Sequence, residues 1–257
     1  MTPAAEAAPV PPERGILAQI AISIVRDRVS LFFLLVLVAI VLVAIFADRI
    51  APYDPVAQSL LSINLPPSAE HWLGTDQFGR DVLSRIIYGA RTSLLLGVTA
   101  PAIAAVIGTA FGVTAGYFGG WIDRLIGRFL DIFLAFPALL LGILIAAALG
   151  AGFWNMVVVL TVAFAPRFAR IARASTMSVR SEAFIEAAIA SGMRTPSIML
   201  HHILPNIAGS IVVVLTLWIA TAVRLEATLS FLGLGTQPPK ASWGNICLLY
   251  TSDAADE

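Results

Sequence analysis

The residues in this chain with the types and spacing to do chemistry sit beside apolar runs. Arg224 and Glu226 close one such run, and ionisable groups there are candidates for a translocation path or a gate. Two apart, they leave a helix on different faces, which argues against a mutual pair. Asp131 could serve as a coupling-ion site, but an interfacial position with Arg128 or Arg124 as partner is the plainer expectation. Arg167, Arg170 and Arg173 recur every third residue, so one helical face can bring them to headgroup phosphates, with a phosphate-bearing substrate as the alternative. Metal-dependent hydrolysis lacks its parts. There is no HExxH, His71, His201 and His202 fall in polar or loop-adjacent segments, and the adjacent His201 and His202 diverge on a helix. The single Cys247 can form neither an internal disulfide nor a thiolate cluster. No GxxxxGK[ST] phosphate loop occurs.

The elements that must position these residues are membrane helices. Hydrophobic residues make up 58% of the 257, charged residues 12%, and the mean hydropathy is +0.88, against roughly a quarter charged in an ordinary soluble domain. The chain reads as an all-α integral membrane protein, and its zero net charge offers no basic surface for nucleic acid. Residues 1–28 form an N-terminal tail, Ala- and Pro-rich and expected to be disordered over Met1 to Pro12. The first span falls within residues 29–48. Its apolar run, Leu31 to Ala47, has no small-residue cleavage site before Asp48, so it reads as a retained helix and not a signal peptide.

Residues 49–92 form a polar loop in which Pro52, Pro55, Pro66 and Pro67 break regular structure. Asp81 to Ala90 within it is an amphipathic helix packed on a membrane or protein surface. Residues 93–245 hold the remaining spans: Ser93 to Ala115, Leu130 to Leu149 kinked at Pro137, Phe153 onward through the arginines, and Ile207 to Thr221 or beyond. Tyr117 to Arg128 reads as a short loop. Ala104, Gly108, Gly112 and Gly116 make a small-residue stripe that favours close helix packing over a place in the translocation path.

One long segment, Ser181 to Asn206, is too polar to span. Ser181 is expected to cap a first short helix, with Glu182 in its first turn, and Gly192 to close it in the left-handed conformation. Thr195 and Pro196 restart a helix that Pro205 ends. Ala183, Ala187, Ala188 and Ala190 let another surface come close.

Glu186-Ala187-Ala188, Gly192 and Ile203-Leu204-Pro205 resemble the EAA loop of ABC importer permeases. A second stretch, Gly74-Thr75-Asp76-Gln77-Phe78-Gly79-Arg80-Asp81-Val82-Leu83-Ser84-Arg85, resembles the GTDxxGRDxxSR signature of their dipeptide, oligopeptide and nickel branch. A third, Glu226 to Gly235 with Gln237-Pro238-Pro239 and Ser242-Trp243-Gly244-Asn245, is similar to that branch's EASLSFLGLGxQPPxxSWGN run. Arg224 departs from the apolar residue expected beside it.

The resemblance implies a type I importer permease fold, di- or oligopeptides, nickel or related small solutes as cargo, and a cytoplasmic coupling loop at 181–206. It also implies a second similar permease, two cytoplasmic ATPases that bind ATP and Mg, and an extracytoplasmic solute-binding protein; the chain itself binds no cofactor. Ten Lys and Arg fall on the side of the N-terminus and five on the other, so the N-terminus is expected in the cytoplasm of a bacterial inner membrane. The final stretch, 246–257, is too short and polar to span and reads as foreign sequence replacing a sixth helix. A secondary transporter or channel without an ATPase is the alternative.

Overall fold

The structure is a computed structural model that describes residues 27–237 and 239–246. The tail before Asp27 and the stretch 247–257 lie outside the described residues. Among the described residues all regular structure is helical.

Helix α1 (Arg28–Ile45) begins at Asp27, whose carboxylate accepts from the Ser30 hydroxyl at 2.5 Å and the Val29 N–H at 3.2 Å. Those bonds, the Ser30 hydroxyl first, hold the Asp27 carboxyl below its usual range. A short α2 (Ala47–Ile50) leads into an irregular loop, as the prolines require. The chain divides into two compact units, Met1–Leu42 and Val43–Glu257, and the larger carries all the elements beyond α1.

Helix α3 (Val82–Phe118) is one element of 37 residues, not an amphipathic helix followed by a separate span. Arg91, Thr92 and Ser93 do not break it, because none lacks a backbone donor and Ser93 is buried against polar partners. Asp81 caps it, accepting the Ser84 N–H at 2.8 Å.

The expected loop at 117–128 is also largely helix: α4 (Gly120–Leu134) follows after Gly119 alone. Pro137 then separates α4 from α5 (Ala138–Leu149) by an 86° bend, far sharper than a kink. Helix α6 (Phe153–Arg180) extends through the arginines for 28 residues.

The small-residue stripe packs α3 against α6. A Cβ at Gly108 would lie 2.6 Å from Phe168 Cβ, at Gly112 2.6 Å from Ala172 Cβ, and at Gly116 2.8 Å from Thr176 Cβ. Hydrogen in place of a side chain is what lets these backbones touch. The main core joins α3, α5, α6 and the last helix around Leu96, Leu160, Phe164, Phe168 and Leu229.

After α6 come two short helices, α7 (Ala183–Ala190) and α8 (Thr195–Ile198), a π-turn at Met199–Ile203, and α9 (Leu204–Phe231). Pro205 does not end a helix. It lies in the first turn of α9, and the wide turn before it, in which the Leu204 N–H reaches Met199 O, absorbs its missing donor.

Among the described residues four helices are long and apolar enough to cross a membrane: α1, α3, α6 and the continuous stretch Thr195–Phe231. The bent pair α4 and α5 makes a fifth if it is counted as one span.

Candidate functional site

The signature loop is held by one carboxylate. Asp76 accepts the backbone N–H of Phe78 at 2.9 Å and of Arg80 at 3.0 Å, and takes the Arg80 guanidinium through Nε at 2.7 Å. Arg85 Nε stands 3.5 Å from the same carboxylate, and its Nη1 donates to Pro55 O at 3.2 Å. Both arginines are almost fully buried, at 1% and 2% exposure, where a guanidinium requires polar or anionic partners.

Asp81 serves two sides. One oxygen accepts from the Ser84 hydroxyl at 2.7 Å, the other meets His71 Nδ1 at 2.9 Å, and Tyr53 stacks against that imidazole. Thr75 bridges Leu65 N to Ser62 O. Gly79 has φ +69°, and a side chain there would enter the Ser59 backbone, whose carbonyl carbon lies 2.8 Å from the Cβ position. The twelve residues read as a motif, Gly74 included, thus lock a proline-rich loop onto the start of α3.

The coupling candidates lie on a short, exposed helix. Ser181 does not cap α7; its hydroxyl returns to Ser178 O at 2.8 Å at the end of α6, and Glu182 takes the cap position without a side-chain bond. Arg194 takes the place expected for Thr195 before α8. Gly192 does adopt φ +78°, with Met193 N donating to Ala188 O at 3.2 Å.

Ile185 and Ala188 turn inward to a second core with Val113, Ala172, Ile198, Ile203 and Ile207. Glu186, Ala187 and Gly192 remain exposed, as do Phe184, Ile189 and Met193. Leu204 is half-buried and Pro205 exposed.

Arg224 and Glu226 part company. Arg224 is exposed. Glu226 is completely buried, accepting from Ser93 Oγ at 3.2 Å and Ser230 Oγ at 2.8 Å. Ser93 in turn accepts the Trp243 N–H at 3.3 Å, and Trp243 Nε1 donates to Ile86 O at 3.2 Å. The third family-like run therefore folds back on α3.

The other charged candidates bind protein. Asp131 pairs with Arg170 at 2.9 Å, not with Arg128 or Arg124. Arg173 grips Asp123, its Nη2 2.5 Å from Oδ2, and Arg167 donates to Ala163 O at 2.5 Å with its guanidinium over the Trp218 ring. Two of the three arginines, Arg170 and Arg173, thus meet acidic partners on α4 that their spacing alone did not indicate, while Arg167 turns back to its own helix and to Trp218.

A helical membrane protein with a locked polar loop and a short exposed helix between its last two long apolar helices has the parts of a transport permease. Residues 108–248 match the family described as binding-protein-dependent transport system inner membrane component. Residues 17–67 match the N-terminal TM domain of oligopeptide transport permease C.

The dipeptide transport system permease protein DppC of Alkalihalophilus pseudofirmus is 43% identical over 221 residues, 86% of this chain and 73% of that protein. The glutathione transport system permease protein GsiD of Escherichia coli is 44% identical over 222 residues, 85% of this chain and 73% of that one. A solved structure of the MetNI methionine ABC transporter, in an inward-facing conformation, is similar in fold. Its TM-score is 0.53 at 22% identity, covering 68% of this chain and 83% of that one.

The chain belongs to the inner-membrane permeases of binding-protein-dependent ABC importers, in their dipeptide, oligopeptide and nickel branch.

Proposed function

We propose that the chain is the permease subunit of an ATP-driven importer, lines the path for di- or oligopeptides, and receives its drive through α7. The observation that supports this most is the build of α7. Its Ile185 and Ala188 are anchored in a core shared with α3, α6 and α9, while Glu186, Ala187 and the apolar Phe184 and Ile189 face outward. A helix so braced passes a push to three long helices, and its outer face suits a groove on another protein.

The peptide assignment rests on the relatives, whose names specify dipeptide and glutathione transport. A second permease of similar fold, two ATP-hydrolysing subunits holding ATP and Mg, and an extracytoplasmic solute-binding protein complete the assembly. The loop at 181–206 is then cytoplasmic, as is the N-terminus, and the loop at 49–92 extracytoplasmic, which agrees with the distribution of Lys and Arg. Glu226 and its serines would act as a gate-side brace, with Arg224 exposed next to it.

Uptake of a labelled dipeptide into proteoliposomes containing this chain, the neighbouring permease, the ATPases and the binding protein tests the proposal. Uptake should require ATP and be blind to ionophores. Uptake driven by a proton or sodium gradient without the ATPases would replace the proposal with a secondary transporter.

A further inference from the structure

A cleft of about 640 Å³ opens beside the signature loop, between α2, the turn Tyr53–Val56, the early part of α3 and the Lys240–Ala241 segment. Its lining brings two tyrosines, Tyr53 and Tyr88, together with Asp48, Asp54, Arg91 and Lys240. Asp48 and Arg91 satisfy each other at 3.2 Å, and Asp48 also accepts the Tyr88 hydroxyl at 2.9 Å. The Asp54 carboxylate accepts the nearby Val56 N–H, at 2.9 Å. Among the described residues no opposite charge pairs with Asp54 or with Lys240. One carboxylate and one ammonium on the same cleft call for a ligand that carries both signs.

The level of the cleft narrows that ligand. The apolar run that begins at Leu31 ends at Ala47, and Asp48 is the first charged residue after it, which places the cleft at the edge of the apolar run, where a headgroup layer of roughly 5–7 Å flanks the hydrocarbon. Tyrosine is a residue enriched at that level.

We propose that this cleft binds the headgroup of a zwitterionic phospholipid with a primary ammonium, its phosphate toward Lys240 and Arg91 and its ammonium toward Asp54. Arg91 keeps its bond to Asp48 and adds field. A free dipeptide has the same two charges but gains nothing from a site at headgroup depth. Lipid binding here needs no ATPase and no transported solute, so it stands or falls apart from the importer reading.

Native mass spectrometry of the full purified chain with phosphatidylethanolamine, phosphatidylglycerol and dialanine tests it. Phosphatidylethanolamine should be retained about fivefold over phosphatidylglycerol, which has the phosphate without the ammonium. Asp54→Asn should abolish that preference, and Lys240→Ala should lower retention of both lipids about fivefold. Asp54 and Lys240 are exposed, so neither change threatens the fold, and Arg124→Gln, remote from the cleft, should retain both lipids as the parent does. Equal retention of the two lipids, retention unchanged in both cleft variants, or displacement of phosphatidylethanolamine by dialanine would overturn the proposal.

Discussion

Asp76 shows how much one carboxylate can hold. Removing it leaves the buried Arg80 guanidinium without its carboxylate and takes one carboxylate away from Arg85, and breaking a buried pair such as Arg80–Asp76 costs about 3–5 kcal/mol. Asp76→Ala should therefore lower the thermal unfolding midpoint in detergent markedly, and Asp76→Glu should recover little because the loop fixes the carboxylate between two backbone N–H groups. Glu226→Ala should cost about 1–3 kcal/mol by leaving the Ser93 and Ser230 hydroxyls without their acceptor. Arg224→Ala, on an exposed residue, should leave stability within about 0.5 kcal/mol. Thermal or denaturant unfolding reads both values.

As ionisable residues after an apolar run, Arg224 and Glu226 read alike, and only the resemblance set Glu226 apart, as the first residue of a family-like run that Arg224 does not fit. The partner that marks Glu226 as buried is Ser93, 133 residues away, and the Asp123 carboxylate that claims Arg173 is 50 residues from it.

Among the elements, the α3–α6 pair depends on bare backbone at Gly112. Gly112→Val should open that contact, because its Cβ alone would fall 2.6 Å from Ala172 Cβ, and the expected result is loss of folded protein in a detergent-stability assay. Gly192 differs. Among the described residues nothing lies within 4 Å of its Cβ position, yet its φ of +78° disfavours a β-branched residue, at about 1–3 kcal/mol. Gly192→Val should keep insertion and folding while ATP-driven uptake falls severely; unchanged uptake would remove Gly192 from the coupling element.

Stripe spacing, the Gly192 turn and the proline-broken loop were legible because each is a local rule of backbone geometry. Helix limits were not. Polar residues at 91–93 read as a boundary, whereas tertiary partners absorb Ser93 within a continuous helix. Pro205 read as a stop, whereas a π-turn supplies the slack that lets a helix pass it.

At the scale of the whole molecule, three motifs far apart in the chain serve two structural tasks. The signature loop and the Glu226 run both fix the beginning of α3, and α7 stands on the far portion of the same helix through Val113. Membership of the permease family was legible from these motifs, because each is long enough to be specific. What they bind was not, since neither loop nor brace presents solute-recognising groups by spacing alone.

In the proposed importer, α7 is where another protein drives this one. A photo-crosslinking amino acid at position 187, in the exposed Glu186-Ala187 face of α7, measures it directly in the assembled complex in membranes. The predicted result is a crosslink to the ATP-hydrolysing subunit that changes in yield between nucleotide-free and ATP-bound states. A crosslink only to lipid or to the other permease, in both states, would contradict it.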